Sequence, residues 1–176
     1  FLEGEDAYAG YLAARLGQPL ERSLRAKQRL LDRTLTLYRQ SVDGGRSAGD
    51  IPVIGPAQAA LHVAAQLGDR FGLIVYHDNL IPMTRAIVRR YGMLDRVAGF
   101  RSSKFDLPDL AANHDALVSN FVAAARSLIK EDGADLIIPM GISQCPVHIK
   151  PDWLMKELGV PVVDGIGSPI MMAALM

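Results

Sequence analysis

The stretch Gly133-Ala-Asp-Leu-Ile-Ile-Pro139-Met-Gly141-Ile-Ser-Gln-Cys145-Pro-Val-His148 decides the fold. Leu136 to Pro139 is a short, wholly apolar run, the mark of a strand whose sheet is covered by helices on both faces. The residues after Pro139 are small or polar and read as a loop. In an α/β protein the loop at the carboxyl end of a strand is where ligands bind and chemistry happens. This loop carries Cys145, the only cysteine of the chain, with His148 three residues on.

Working outward towards the amino end, His114 to Asp132 reads as a long amphipathic helix closed by Gly133, with Asn113 as its expected cap. Asp106 to Asp109 is a loop and Val97 to Arg101 a strand. Pro82 to Tyr91 is a helix closed by Gly92. Phe71 to Tyr76 is a second strand apolar on both faces, and the polar loop His77-Asp78-Asn79 follows it. Ala57 to Leu67 is a helix, opened by Gly55-Pro56 and ended by Gly68, with Ile51 to Ile54 a short strand before it. Towards the carboxyl end come a helix from Pro151 to Leu158, a strand from Val160 to Val163 and a helix from Ser168 onward. Strands alternating with helices imply an α/β fold, a parallel sheet with helices on both faces. His62 is expected to pack inside. Trp153, Met171, Met172 and Met176 are expected in the core or at an interface.

Residues 1–50 have another texture. Helices are expected over Glu5–Leu16 and from Pro19 to about Val42, followed by a flexible linker over Asp43–Asp50. Leu20, Leu24, Leu31, Leu35, Tyr38 and Val42 form one stripe at helical spacing, beneath a solvated basic face. A stripe outside the α/β pattern needs covering, so a homo-oligomer is expected. The domain reading is a helical segment and linker over 1–50, a remnant of a first lobe or an oligomerisation element, and an α/β region over 51–176. The opening Phe1 and the apolar run from Ile170 to Met176 suggest a portion of a longer chain.

Composition narrows the partners. Nineteen basic and nineteen acidic residues balance, which argues against nucleic acid and gives no attraction to an anionic membrane. No apolar run approaches the roughly 18 residues that span a bilayer. One cysteine forms no internal disulfide, so a cytoplasmic location is expected. No glycine-rich nucleotide motif and no Gly-x-Ser-x-Gly elbow occurs, so no cofactor is expected. Cys145 and His148 have cysteine-x2-histidine spacing, but without a second pair no metal is expected.

The candidate groups cluster at strand ends. Cys145 lies after a strand and before a helix, where a thiolate can be stabilised, or it is a small buried hydrophobe. His77 can act as a general base with Asp78 or Asn79 orienting it, or the loop simply caps the next helix. Gly141, Ser143 and Gln144 can donate hydrogen bonds to a substrate carboxylate, and Gly55 and Pro56 open a helix whose backbone can hold an anion. Asp164-Gly165 ends the last strand and is read as a cap for the final helix.

Ile51-Pro-Val-Ile-Gly-Pro-Ala-Gln-Ala-Ala-Leu-His-Val-Ala64, Leu67-Gly-Asp-Arg-Phe-Gly-Leu-Ile-Val75, Arg90-Tyr-Gly92, Glu131-Asp-Gly-Ala-Asp135 and Leu158-Gly-Val-Pro-Val-Val-Asp-Gly165, in this order and spacing, resemble the aspartate/glutamate/hydantoin racemase superfamily, most of all its hydantoin racemase branch. The resemblance implies two similar α/β lobes, here with one incomplete, and a cleft between them. It implies racemisation without a cofactor, by two cysteines on opposite faces of a small carboxylate or cyclic ureide. The chain departs from that pattern. The second cysteine would fall near Met140-Gly141, and Cys145 lies about four residues further on. Residues 1–50 hold no first cysteine. The expected function is therefore an amino-acid or hydantoin racemase working by proton transfer alpha to a carbonyl, with Cys145 or His77 as the acid/base group. A related decarboxylase or cis–trans isomerase, or a catalytically silent binding homologue, is the alternative.

Overall fold

The computed structural model describes residues 42–47, 52–105 and 113–175. The chain divides into two compact units, Phe1–Val53 and Ile54–Met176. Helices expected over Glu5–Leu16 and from Pro19 lie outside the described residues, as does the loop at Asp106–Asp109. In the first unit the expected linker is in part a short helix, α1 (Val42–Ser47). A local contact overrides the glycine-rich composition: Gly45 is buried close to Val53, and Arg46 Nε donates to the Val53 carbonyl at 3.0 Å.

The second unit runs α2 (Pro56–Leu67), β1 (Phe71–Val75), α3 (Ile81–Arg90), β2 (Val97–Ser102), α4 (His114–Lys130), β3 (Leu136–Pro139), α5 (Pro151–Leu158) and α6 (Gly167–Leu175). The three strands form one parallel sheet in the order β2-β1-β3. Phe71 pairs with Leu136 and Ile74 with Pro139 on one side of β1, while Val75 pairs with Ser102 on the other. Every residue of β1 and β3 is buried, as their unbroken apolar sequences require.

Side-chain alternation splits the core into two layers. Phe71, Leu73, Leu136, Ile138 and Phe100 pack with Ala60, Leu61 and Ala64 of α2 and Val88 of α3. Ile74 and Ile137 pack on the other face with Leu117, Phe121, Ala125 and Leu128 of α4 and Leu154 of α5. Each fully buried large side chain contributes about 1.5–3 kcal/mol. Gly72 and Gly99, neighbours across β1 and β2, let α4 lie close to the sheet. A Cβ on Gly72 would meet Leu128 Cβ at 3.1 Å, and one on Gly99 would meet Leu128 Cδ2 at 2.9 Å.

The amino-terminal rim of the sheet is tightly tied. Both Asp135 carboxylate oxygens accept backbone N–H groups, from Asp69 at 2.7 Å and Arg70 at 2.9 Å. Arg96 donates to the Gly68 carbonyl at 2.6 Å, closing the carboxyl end of α2, and pairs with Asp69 at 2.8 Å. Its guanidinium also lies 5.0 Å from the Phe71 ring centroid.

Several expectations change. Val160–Val163 shrinks to one parallel bridge, Val162 to Ile137, because Pro161 has no N–H and the chain turns at Gly165. Pro52, Val53 and Ile54 form no strand; Pro52 lacks a donor, and Ile51 lies outside the described residues. His62 is exposed and its Nδ1 sits 2.7 Å from the Gln58 carbonyl, so it satisfies itself on its own helix rather than packing inside. Trp153 and Met171 are exposed and not in the core of this unit. Asn113 makes no side-chain cap; its carbonyl accepts Leu117 N–H at 3.0 Å. Among the described residues, no helix is long and apolar enough to cross a membrane.

Candidate functional site

The strand order creates a crevice. The chain leaves β1 through α3 on one face to reach β2, then returns through α4 on the other face to β3 on the opposite side of β1. The loops after β1 and β3 therefore diverge at neighbouring strand ends, the switch point where open α/β sheets bind ligands. His77-Asp78-Asn79 and Gly141 to Cys145 both arise there.

After β1, Tyr76 precedes His77, whose extended backbone (φ −135°, ψ 155°) leads into a single turn at Asp78–Leu80. His77 is half-buried, and its carbonyl accepts Leu80 N–H at 3.0 Å. Asp78 and Asn79 are exposed. The Ser102 hydroxyl donates to Asp78 Oδ1 at 2.6 Å, so the end of β2 fixes the loop of β1.

After β3 the backbone makes two turns over Ser143–His148, hinged on the extended residue Cys145 (φ −139°, ψ 124°). The Gly141 carbonyl accepts the N–H groups of Gln144 and Cys145, each at 3.1 Å. Among the described residues this leaves the N–H groups of Gly141, Ile142 and Ser143 at the head of the turn. Gly141 is a position that no other residue can fill without displacement. A Cβ there would lie 2.4 Å from Tyr76 Cε2 and Cζ and 2.7 Å from its hydroxyl oxygen.

Gln144 is fully buried, and its Nε2 donates to the Ser103 hydroxyl. Ser103 N–H donates to the Val75 carbonyl at 2.9 Å, and the Ser103 carbonyl accepts Asn120 Nδ2 at 3.1 Å. Gln144 thus ties the loop of β3 to the loop of β2 across the end of β1. Its Oε1 is buried with no hydrogen-bond partner.

Cys145 is fully buried among Ile74, Ile137, Ile149 and Leu154. Burial pushes its thiol up to about 12; the Asp164 carboxylate adds to this and Lys150 opposes it. At neutral pH it is a thiol that can give a proton and not a thiolate that can take one. Asp164 Oδ1 accepts Ile166 N–H at 2.8 Å and Gly167 N–H at 2.6 Å, capping α6 as its sequence suggests. A Cβ on Gly165 would lie 3.1 Å from Ile142 Cγ2 and 3.6 Å from Pro56 Cβ, so the start of α2, the loop of β3 and the Gly165 turn meet. Gly55 is buried there and accepts Ala59 N–H at 2.9 Å. His148 is half-buried, and its carbonyl lies 3.0 Å from His114 Nε2. Among the described residues no group of three or more His, Cys, Asp or Glu side chains is placed to hold a metal ion.

Sequence reading misses Tyr76, Ser102 and Ser103. Tyr76 reads as the last residue of an apolar strand, whereas β1 ends at Val75. The two serines follow the strand read over Val97–Arg101 and carry no motif of their own. The one available signal is their position at the carboxyl end of a strand.

Likeness to known proteins agrees with this architecture. The allantoin racemase from Pseudomonas fluorescens superposes with a TM-score of 0.72 at 24% identity, over 77% of this chain and 57% of that one. The allantoin racemase from Klebsiella pneumoniae does so at 0.65 and 24%, over 70% of this chain and 49% of that one. In sequence, the hydantoin racemase of Pseudomonas sp. (strain NS671) is 29% identical over 128 residues, 73% of this chain and 50% of the relative. The hydantoin racemase of Rhizobium meliloti is 33% identical over 129 residues, 69% of this chain and 49% of the relative. The chain thus spans about half the length of the curated relatives it matches. The Asp/Glu/hydantoin racemase family model matches residues 42–173, which takes in β1, β2, β3 and both loops of the crevice, and the chain belongs to that family.

Proposed function

We propose that this chain is a cofactor-independent racemase acting on a small carboxylate or a cyclic ureide such as a hydantoin, by proton transfer alpha to a carbonyl. The observation that carries the reading is that the His77 loop and the Gly141 turn rise from neighbouring strand ends at the switch point of a family fold. The names of its relatives, hydantoin and allantoin racemases, support the substrate class.

The alpha proton of such a substrate is weakly acidic, so its removal needs a base and a place for the enolate charge. His77, half-buried beside the crevice, is the base, and Asp78, held by Ser102, and Asn79 line its approach. The N–H groups of Gly141, Ile142 and Ser143 at the head of the turn receive the oxyanion. Gly55 and Pro56, at the start of α2, hold the far side of the substrate. Cys145, a closed-off neutral thiol, meets a substrate only if its loop opens, and then as a donor. The reading includes a cytoplasmic homo-oligomer in which residues 1–50 supply the contact between copies.

Proton–deuterium exchange at the alpha carbon in D2O, followed by NMR on a panel of amino acids and substituted hydantoins, tests the function. Exchange well above the uncatalysed rate is expected for at least one hydantoin. Background rates across the whole panel would remove the racemase reading.

A further inference from the structure

Racemisation needs two proton-transferring groups, one on each side of the substrate, and His77 supplies one. We propose that the Tyr76 hydroxyl is the second, occupying the space that Gly141 leaves open beside the end of β3. This inference rests on the racemase reading and assigns a catalytic residue within it.

Three observations carry it. Tyr76 and His77 are consecutive where the chain bends away from the end of β1, so both side chains arise at the strand end over which a substrate is seated. The ring of Tyr76 is partly packed against the core while the residue stays half-buried, which fixes its direction and leaves an edge towards solvent. Its hydroxyl lies so close to Gly141 that a methyl group at 141 would sit 2.7 Å from the oxygen. Tyr76 and Gly141 therefore form a matched pair: the phenol is where it is because position 141 carries no side chain. Cys145, the other candidate, is sealed in the core.

The step balances without a further reactant. His77 takes the alpha proton, and the electron pair of the broken C–H bond passes into the enolate. The phenol O–H then breaks, its proton forms the new C–H bond on the opposite side of the carbon, and the phenolate regains a proton from water while the imidazolium loses one. In the reverse direction the two groups exchange roles.

The Tyr76→Phe variant of the full chain tests this, since Phe keeps the ring against Gly141. With optically pure 5-benzylhydantoin, kcat for racemisation is expected to fall by about 100-fold or more at an unchanged KM. The variant should still incorporate deuterium into one enantiomer with retention, because His77 can remove and return the proton on its own side. One-sided exchange is a signature that loss of packing does not produce. Unchanged kcat in Tyr76→Phe, or an equal loss of exchange from both enantiomers, overturns the assignment and leaves the racemase reading standing. Absence of exchange in the wild-type chain overturns both and is recognised by the wild type itself failing.

Discussion

The two rims of the sheet are built to opposite rules. At the amino-terminal rim the charged side chains close on backbone groups: Asp135 on the N–H groups of Asp69 and Arg70, Arg96 on the end of α2. At the carboxyl-terminal rim the polar groups are left with spare capacity: Gln144 Oε1 has no partner, and the head of the Gly141 turn keeps its donors. Satisfied groups hold strands in register, whereas groups with spare capacity are what a ligand can engage. The same three strands therefore carry stability at one end and chemistry at the other.

Substitutions at the two rims should separate these duties. At the carboxyl-terminal rim, His77→Asn is expected to lower alpha-proton exchange by about 100-fold or more while leaving the urea midpoint in place. A loss of stability comparable to the loss of rate would break the division. Its mirror image is Asp135→Ala, which removes two charge-assisted hydrogen bonds from exposed backbone N–H groups and should cost about 2 kcal/mol of unfolding free energy. The midpoint shift in urea measures this, and exchange per folded molecule should change little. Gly141→Ala forces a methyl group into the Tyr76 ring and should cost about 2 kcal/mol, with activity lost alongside. Adding Tyr76→Ala should restore stability but not activity, and a double-mutant cycle reads the coupling. Ser102→Ala removes one hydrogen bond to Asp78 and should cost about 1 kcal/mol, with a few-fold loss in rate.

The smallest effect near neutral pH concerns Cys145, because its thiol is neutral there in the folded and the unfolded chain alike. The folded chain holds this proton up to about 12, well above the ordinary thiol range. Above that ordinary range the unfolded chain binds fewer protons than the folded one, so stability falls as pH rises towards about 12. Cys145→Ala should flatten that alkaline decline. As Cys145 is the chain's only cysteine, alkylation by iodoacetamide at pH 8 reads its burial directly. Modification should be slow in the native protein and fast in urea.

Much of the fold was legible because its signals are local. Gly68, Gly92, Gly133 and Gly159 punctuate the chain within three residues of the observed element ends, and an apolar run such as Phe71–Val75 reads as a covered strand. What stayed hidden depends on residues far apart in sequence. The ring of Tyr76 meets Gly141 some 65 residues later, and Gln144 meets Ser103 across 41. Cys145 looked poised for chemistry in its loop because burial is a property of the packed chain. Pro161 shows the converse case, a local feature whose effect on the ladder was readable and outweighed by the apolar run around it.

The central place of β1 has a consequence for how the molecule is made. Among the described residues β1 is the first strand of the sheet to be synthesised, and its edge towards β3 is unpaired until β3 arrives roughly 60 residues later. At about 5–20 residues per second, Phe71–Val75 spends several seconds as an apolar strand with an open edge. The nascent chain is therefore most prone to wrong pairing in this interval. The arrival of Asp135, which clamps the start of β3 to the residues just before β1, ends it.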